Sequence, residues 1–206
     1  MKVKVCGITS FEDAASALDL GADVLGFNFY PRSPRFIRPA AARGIIRRLP
    51  PILATVGVFV NVPHHSQVAE QAGEAGVQAL QLHGDESPDY CRALESWPLI
   101  KAVRIGRTFD VSLLPDYPVR ALLLDSRDDL LFGGTGKPFD WSLVGMVKSS
   151  LPVILAGGLT PGNVAAAIQA VQPYAVDVCS GVESSPGKKD SAKLAQFIDE
   201  VRRAGS

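Results

Sequence analysis

Apolar residues along the chain gather into eight short runs: Val3–Cys6, Val24–Phe27, Thr55–Phe59, Ala79–Leu82, Leu99–Val103, Ala121–Leu124, Val153–Ala156 and Ala175–Val178. Each reads as a strand, and segments of helical character lie between them, at intervals of about 20 to 30 residues. That alternation predicts βα units, and eight of them predict a single (β/α)8 barrel of the α/β class. Helix starts are marked by Thr9 and Glu12, spaced as a capping box, and by Ser87-Pro88 and Thr160-Pro161, an N-cap followed by proline. Gly21 and Gly76 stand where helices should stop. Near the C-terminus, Leu194, Phe197, Ile198 and Val201 recur at i, i+3, i+4, i+7, an amphipathic face for packing on the barrel. The pattern is weakest over 106–119, where two prolines predict a short or irregular fifth helix. The long loop 126–139, containing Gly133-Gly134-Thr135-Gly136, follows the sixth strand and is expected to act as a lid.

In a parallel barrel, function collects at the C-terminal strand ends. Two glycine-bearing turns follow strands seven and eight: Leu155-Ala156-Gly157-Gly158-Leu159-Thr160-Pro161 and Asp177-Val178-Cys179-Ser180-Gly181-Val182-Glu183. Gly157, Gly158, Ser180 and Gly181 would offer close backbone amides and a hydroxyl to one phosphate. Other polar residues fall on the same rim, each with a plain alternative. Cys6 either packs as a small apolar residue or serves as a thiolate base, its reference pKa of roughly 8.5 falling beside positive charge. Asp125 either caps or pairs with Arg127, or acts as a general acid whose pKa is lifted by apolar strand ends. Arg35 is a solvated loop charge or a ligand for a substrate. His83 reads more readily as a satisfied strand-end histidine than as a catalyst. Asp177 either orients a substrate hydroxyl or pairs with a cation inside the barrel such as Lys4. Cys91 lies in a helix, where it packs.

Composition narrows the classes. Net charge is zero, with acidic and basic residues interspersed, which gives no footprint for nucleic acid or a charged membrane. Apolar runs are strand-sized, short of the roughly 18 residues of a membrane span. The first residues read as a strand and not as a signal peptide. Three cysteines without CxxC spacing argue against a disulfide scaffold and against zinc, and favour the cytoplasm. Hydrophobic content of 47% supports an ordinary core, and residues 1–206 read as one domain. Neither monomer nor homodimer is excluded.

Several motifs together resemble one family. They are Lys4-Val5-Cys6-Gly7-Ile8-Thr9, Gly26-Phe27-Asn28-Phe29-Tyr30 with Ser33-Pro34-Arg35, Gly57-Val58-Phe59-Val60-Asn61, Leu80-Gln81-Leu82-His83-Gly84, Gly133-Gly134-Thr135-Gly136 with Phe139-Asp140-Trp141, Leu155-Ala156-Gly157-Gly158-Leu159, and Ser180-Gly181-Val182-Glu183 leading to Gly187-Lys188-Lys189-Asp190. In this combination the chain resembles the phosphoribosylanthranilate isomerases of tryptophan biosynthesis, nearly end to end. The resemblance implies an Amadori rearrangement of N-(5-phosphoribosyl)anthranilate to 1-(2-carboxyphenylamino)-1-deoxyribulose 5-phosphate, with no metal and no cofactor. It implies Cys6 as general base, Asp125 as general acid, and Arg35 on the anthranilate carboxylate. His83 and Asp177 join the expected substrate contacts. Cys179 departs from the serine usual in the family, and the lost hydroxyl is expected to weaken one phosphate contact. Indole-glycerol-phosphate synthase is the nearest competing reaction; it would call for lysine and glutamate where Cys6 and Asp125 stand. A histidine-pathway isomerase would need two phosphate sites. A barrel that binds a phosphorylated ligand without turning it over is the remaining alternative.

Overall fold

A computed structural model of the chain describes residues 1–104, 117–125 and 150–205. Eight parallel strands close into a barrel in chain order: β1 (Lys2–Cys6), β2 (Val24–Asn28), β3 (Ala54–Phe59), β4 (Ala79–Leu82), β5 (Leu99–Arg104), β6 (Ala121–Asp125), β7 (Val153–Ala156) and β8 (Ala175–Val178). Each lies within one residue, at either end, of the run expected for it. Closure is made by β1 against β8, with Lys4 opposite Asp177 and Val5 opposite Val178.

The helices described are α1 (Phe11–Leu20), α2 (Pro39–Ile46), α3 (His65–Ala75), α4 (Pro88–Arg92), α5 (Val164–Val171) and α6 (Ser191–Ala204). Between β8 and α6, a 3₁₀ turn (Ser180–Val182) leads into a small antiparallel pair, β9 (Glu183–Ser185) and β10 (Lys188–Lys189). Among the described residues no helix is long and apolar enough to cross a membrane. The lid expected at 126–139 lies outside the described residues, as does most of the irregular segment expected at 106–119.

Two helix starts differ from expectation. The α1 cap is Ser10, not Thr9: Ser10 Oγ accepts from the Asp13 amide at 3.1 Å. Thr9 instead donates its hydroxyl to the Gly187 carbonyl, tying the β1–α1 loop to the β9–β10 turn. Thr160-Pro161 opens a turn, and α5 begins three residues later with Asn163 at its cap position. There the Asn163 side chain accepts from the Thr160 amide at 2.7 Å, so the polar group stabilises the turn before the helix. Ser87 caps α4 as expected, accepting from Tyr90. Gly21 (φ 104°) and Gly76 (φ 76°) take the left-handed conformation that ends α1 and α3.

Packing follows strand alternation. Outward residues such as Val5, Leu25, Leu80, Leu122 and Val176 meet the helices in the main core, where Leu194, Phe197, Ile198 and Val201 of α6 are all buried. Inward residues Ala102, Leu123, Ile154, Ala156 and Ala175 form a second, smaller cluster that fills the barrel interior.

Candidate active site

The inward parity that places Ala102 and Leu123 in the interior also sends Cys6, His83, Asp125 and Asp177 inward at the C-terminal mouth. They line one cavity of about 430 Å³, together with Arg35, Gly157, Gly158 and Ser180. Eight of the nine residues singled out as site candidates thus share one space. The ninth, Gly181, does not line it. A Cβ there would stand 1.9 Å from the Leu159 carbonyl oxygen, so only glycine lets the turn after β8 press against the turn after β7. Gly157 (φ 87°) and Gly158 (φ 62°) hold left-handed conformations that turn the chain across the mouth.

The floor of the cavity is charged. Lys4 Nζ donates to Asp177 Oδ1 at 2.9 Å, with both side chains buried. Of the two alternatives for Asp177, the pairing with Lys4 is the one present. Burial lifts the Asp177 carboxyl to about 7, against the opposing pull of Lys4. Burial works against the charge on Lys4, but Asp177 and Cys6 outweigh it and hold the ammonium above its ordinary range.

Cys6 ends β1 and is 8% exposed. A hydrogen bond from Cys179 is the largest influence holding its thiol well below the ordinary value; burial opposes it, and Lys4 and Lys189 add to it. Cys6 is therefore shifted toward its ionised form. Cys179 lines the same cavity, its thiol donating to Glu183 Oε1 at 3.9 Å and accepting from Lys189 Nζ at 4.0 Å. Cys91, by contrast, is fully buried and burial pushes its thiol up to about 11, an inert packing residue.

Asp125 is the last residue of β6. His83 Nε2 stands 3.2 Å from Asp125 Oδ2, and Gln81 Nε2 lies 2.8 Å from His83 Nδ1. With Gln81 so oriented, Nδ1 accepts, the ring carries its hydrogen on Nε2, and that hydrogen points at the carboxylate. His83 is thus the satisfied strand-end histidine expected, partnered by Gln81 on one ring nitrogen and Asp125 on the other.

Arg35 is placed by its own loop. Asn28 Oδ1 accepts from the Tyr30 amide, Asn28 Nδ2 donates to Ser33 Oγ, and Ser33 Oγ accepts from the Arg35 amide. The guanidinium then meets Glu183 in a fork, Nε donating to both carboxylate oxygens at 2.9 and 3.1 Å and NH2 to Oε2 at 2.6 Å. It is a held charge and not a solvated one. Glu183 also accepts from Lys189 Nζ at 3.0 Å, and Lys189 reaches the Cys6 carbonyl at 2.6 Å. Burial would raise the Glu183 carboxyl, but Arg35 and Lys189 together hold it below its ordinary value. Gln81, Glu183 and Lys189 were not singled out from sequence, although all three lie inside motifs that carried the resemblance.

Three comparisons with known proteins agree. A family model described as N-(5'phosphoribosyl)anthranilate (PRA) isomerase matches residues 3–200. N-(5'-phosphoribosyl)anthranilate isomerase of Geobacter metallireducens is 50% identical over 198 residues, 96% of this chain and 97% of the relative. The solved phosphoribosyl anthranilate isomerase of Thermotoga maritima superposes with a TM-score of 0.90 at 42% identity, covering 98% of this chain and 99% of the other. Another solved isomerase, in complex with reduced 1-(o-carboxyphenylamino)-1-deoxyribulose 5-phosphate, gives 0.87 at 40% identity, with the same coverage.

Proposed function

This chain belongs to the N-(5'-phosphoribosyl)anthranilate isomerase family, and from that premise we propose that Cys6 and Asp125 carry out its reaction as general base and general acid. The activity is the rearrangement of N-(5'-phosphoribosyl)anthranilate to 1-(2-carboxyphenylamino)-1-deoxyribulose 5-phosphate in tryptophan biosynthesis. The observation that carries the assignment of roles is that a thiol held toward its ionised form and a carboxyl on a different strand line one cavity.

Asp125 donates its proton to the furanose ring oxygen as the C1–O bond breaks, and the anilino nitrogen lone pair forms the iminium. Cys6 thiolate removes the proton at C2, and the electron pair of that C–H bond becomes the C1–C2 double bond of an enolamine. Tautomerisation yields the ketone. Two catalysts on facing strands suit a reaction that moves protons at two atoms of one substrate. His83 acts on Asp125, holding the carboxyl toward the cavity. Arg35 keeps N–H donors beyond those that Glu183 occupies, and these are suited to the anthranilate carboxylate.

Amides and a hydroxyl from Gly157, Gly158 and Ser180 are suited to the 5-phosphate, with Gly181 letting the turn after β8 pack against the turn that carries the two glycines. Asp177, bound to Lys4, shapes the floor under the ribose. The substrate is small and phosphorylated, the chain acts in the cytoplasm, where a thiolate stays reduced, and the reaction is compatible with monomer or homodimer.

Turnover of freshly generated N-(5'-phosphoribosyl)anthranilate tests the two roles. Cys6→Ala and Asp125→Asn should each lower kcat by about 10²- to 10⁴-fold with unchanged melting temperature. Wild-type rates in either folded variant would remove that residue from the mechanism.

A further inference from the structure

Lys101 and Glu86 form a buried ion pair at 2.8 Å that the proposed chemistry does not use. Ile100 and Ala102 turn toward the barrel interior, so Lys101 between them on β5 faces the helix layer, and neither member of the pair lines the cavity. Desolvating two charges costs roughly what their attraction returns, so stability alone does not account for the pair. What it grips is main chain. Lys101 Nζ donates to the Gly84 carbonyl at 2.6 Å and to the Leu82 carbonyl at 3.4 Å, the carbonyls on either side of His83. Glu86 accepts from the Gly84 amide at 3.0 Å and from the Asn61 amide at 2.9 Å. The His83 amide itself donates to the Phe59 carbonyl at 2.8 Å. Asn61 ties the same loop again, its side chain accepting from the Asp85 amide at 2.6 Å and donating to the Asp85 carboxylate at 3.1 Å. Its φ of 47° is left-handed, and a Cβ on Gly84 would overlap its side chain, so the two loops meet in one arrangement.

We propose that Lys101 is a positioning residue for His83: with Glu86 it fixes the main chain on both sides of that histidine, so that the ring meets Asp125. Its catalytic meaning rests on the roles proposed above for His83 and Asp125. A histidine side chain has only two torsions, so the place of its backbone decides where Nε2 falls. Here Nε2 falls 3.2 Å from Asp125 Oδ2. Gln81 holds the other ring nitrogen, but it sits on the same strand and would move with it. The anchor outside that strand is Lys101, which stands opposite Leu82 in the β4–β5 register.

The test pairs steady-state kinetics with 15N NMR of the His83 ring. In wild type the two ring nitrogens should report one tautomer, with the hydrogen on Nε2. Lys101→Met should shift those signals toward a mixture of tautomers. It should lower kcat by about 10- to 100-fold, with KM changed by no more than about twofold, because Arg35 and the glycine turns lie on other elements. In a His83→Ala background the same substitution should lower kcat by no more than about twofold, since the group it positions is gone. Lys101→Met with Glu86→Gln, which leaves no unpaired charge, serves if the single variant does not fold. Unshifted His83 signals in the folded variant overturn the proposal, as does an equal fall in kcat in both backgrounds. Shifted signals with kcat unchanged support the Lys101 contact, and remove His83 from the reaction instead.

Discussion

Among the described residues, a cavity stands at each end of the barrel, and the two differ in what their strands present to them. At the C-terminal mouth, about 430 Å³ is bordered by Cys6, Arg35, His83, Asp125 and Asp177. At the N-terminal mouth, a larger cavity of about 770 Å³ is walled mainly by apolar residues such as Val24, Val56, Ile100 and Ile154, with Lys2, Lys4, Asp19 and Asp23 also on its lining and Ile52 95% exposed. Volume alone would choose the wrong end. Strand direction and parity choose the right one, because every strand delivers its last inward residue to the same rim. The Lys4–Asp177 pair is the charged plane between the apolar interior and the polar mouth.

Removing that plane should have the largest effect on stability. Lys4→Met leaves the Asp177 carboxyl buried without its cation and should cost about 3–5 kcal/mol, measured by urea unfolding above pH 7. Its sign with pH follows from Asp177, whose carboxyl already titrates near 7. Without Lys4 it takes up a proton more readily still, so the deficit should shrink as the solution is acidified. Replacing Asp177 by leucine in the same variant should recover much of the loss.

Glu183→Gln tests the rim in the same way, stripping the shared carboxylate from Arg35 and Lys189. A loss of about 2–4 kcal/mol is expected at neutral pH, with a rise in KM where Arg35 loses its orientation. Glu183 titrates below its ordinary value in the fold, so its contribution is fully present above pH 4.5. It fades as pH falls through the depressed folded value, and the difference between wild type and variant should fade with it. At the opposite end, Ile52→Asn should change stability by no more than about 0.5 kcal/mol and leave kcat/KM at the wild-type value. A fall in turnover from that end would break the division between the two mouths.

The strand cores were legible because a strand buried on both faces must be a short apolar run, and eight such runs recur at the spacing of βα units. The site was legible for a related reason: Cys6, Asp125 and Asp177 interrupt or end such runs, where a polar residue needs a purpose. The α1 cap was misplaced because two adjacent hydroxyls, Thr9 and Ser10, each precede an acid by three residues, and only the β9–β10 turn decides between them. The partners Glu183 and Lys189 were harder. They look like solvated charges until the segment after β8 folds over β1, a contact between distant parts of the chain that no local pattern encodes.

That closing contact also sets an order of events during synthesis. Cys6 emerges early, while Lys189, one of the groups that lower its thiol, arrives 183 residues later. At roughly 5–20 residues per second, a nascent chain carries that thiol without its distant cation for about 9 to 37 s. The full set of contacts around that sulfur is complete only when the last strand seats against the first and the segment after it folds across β1.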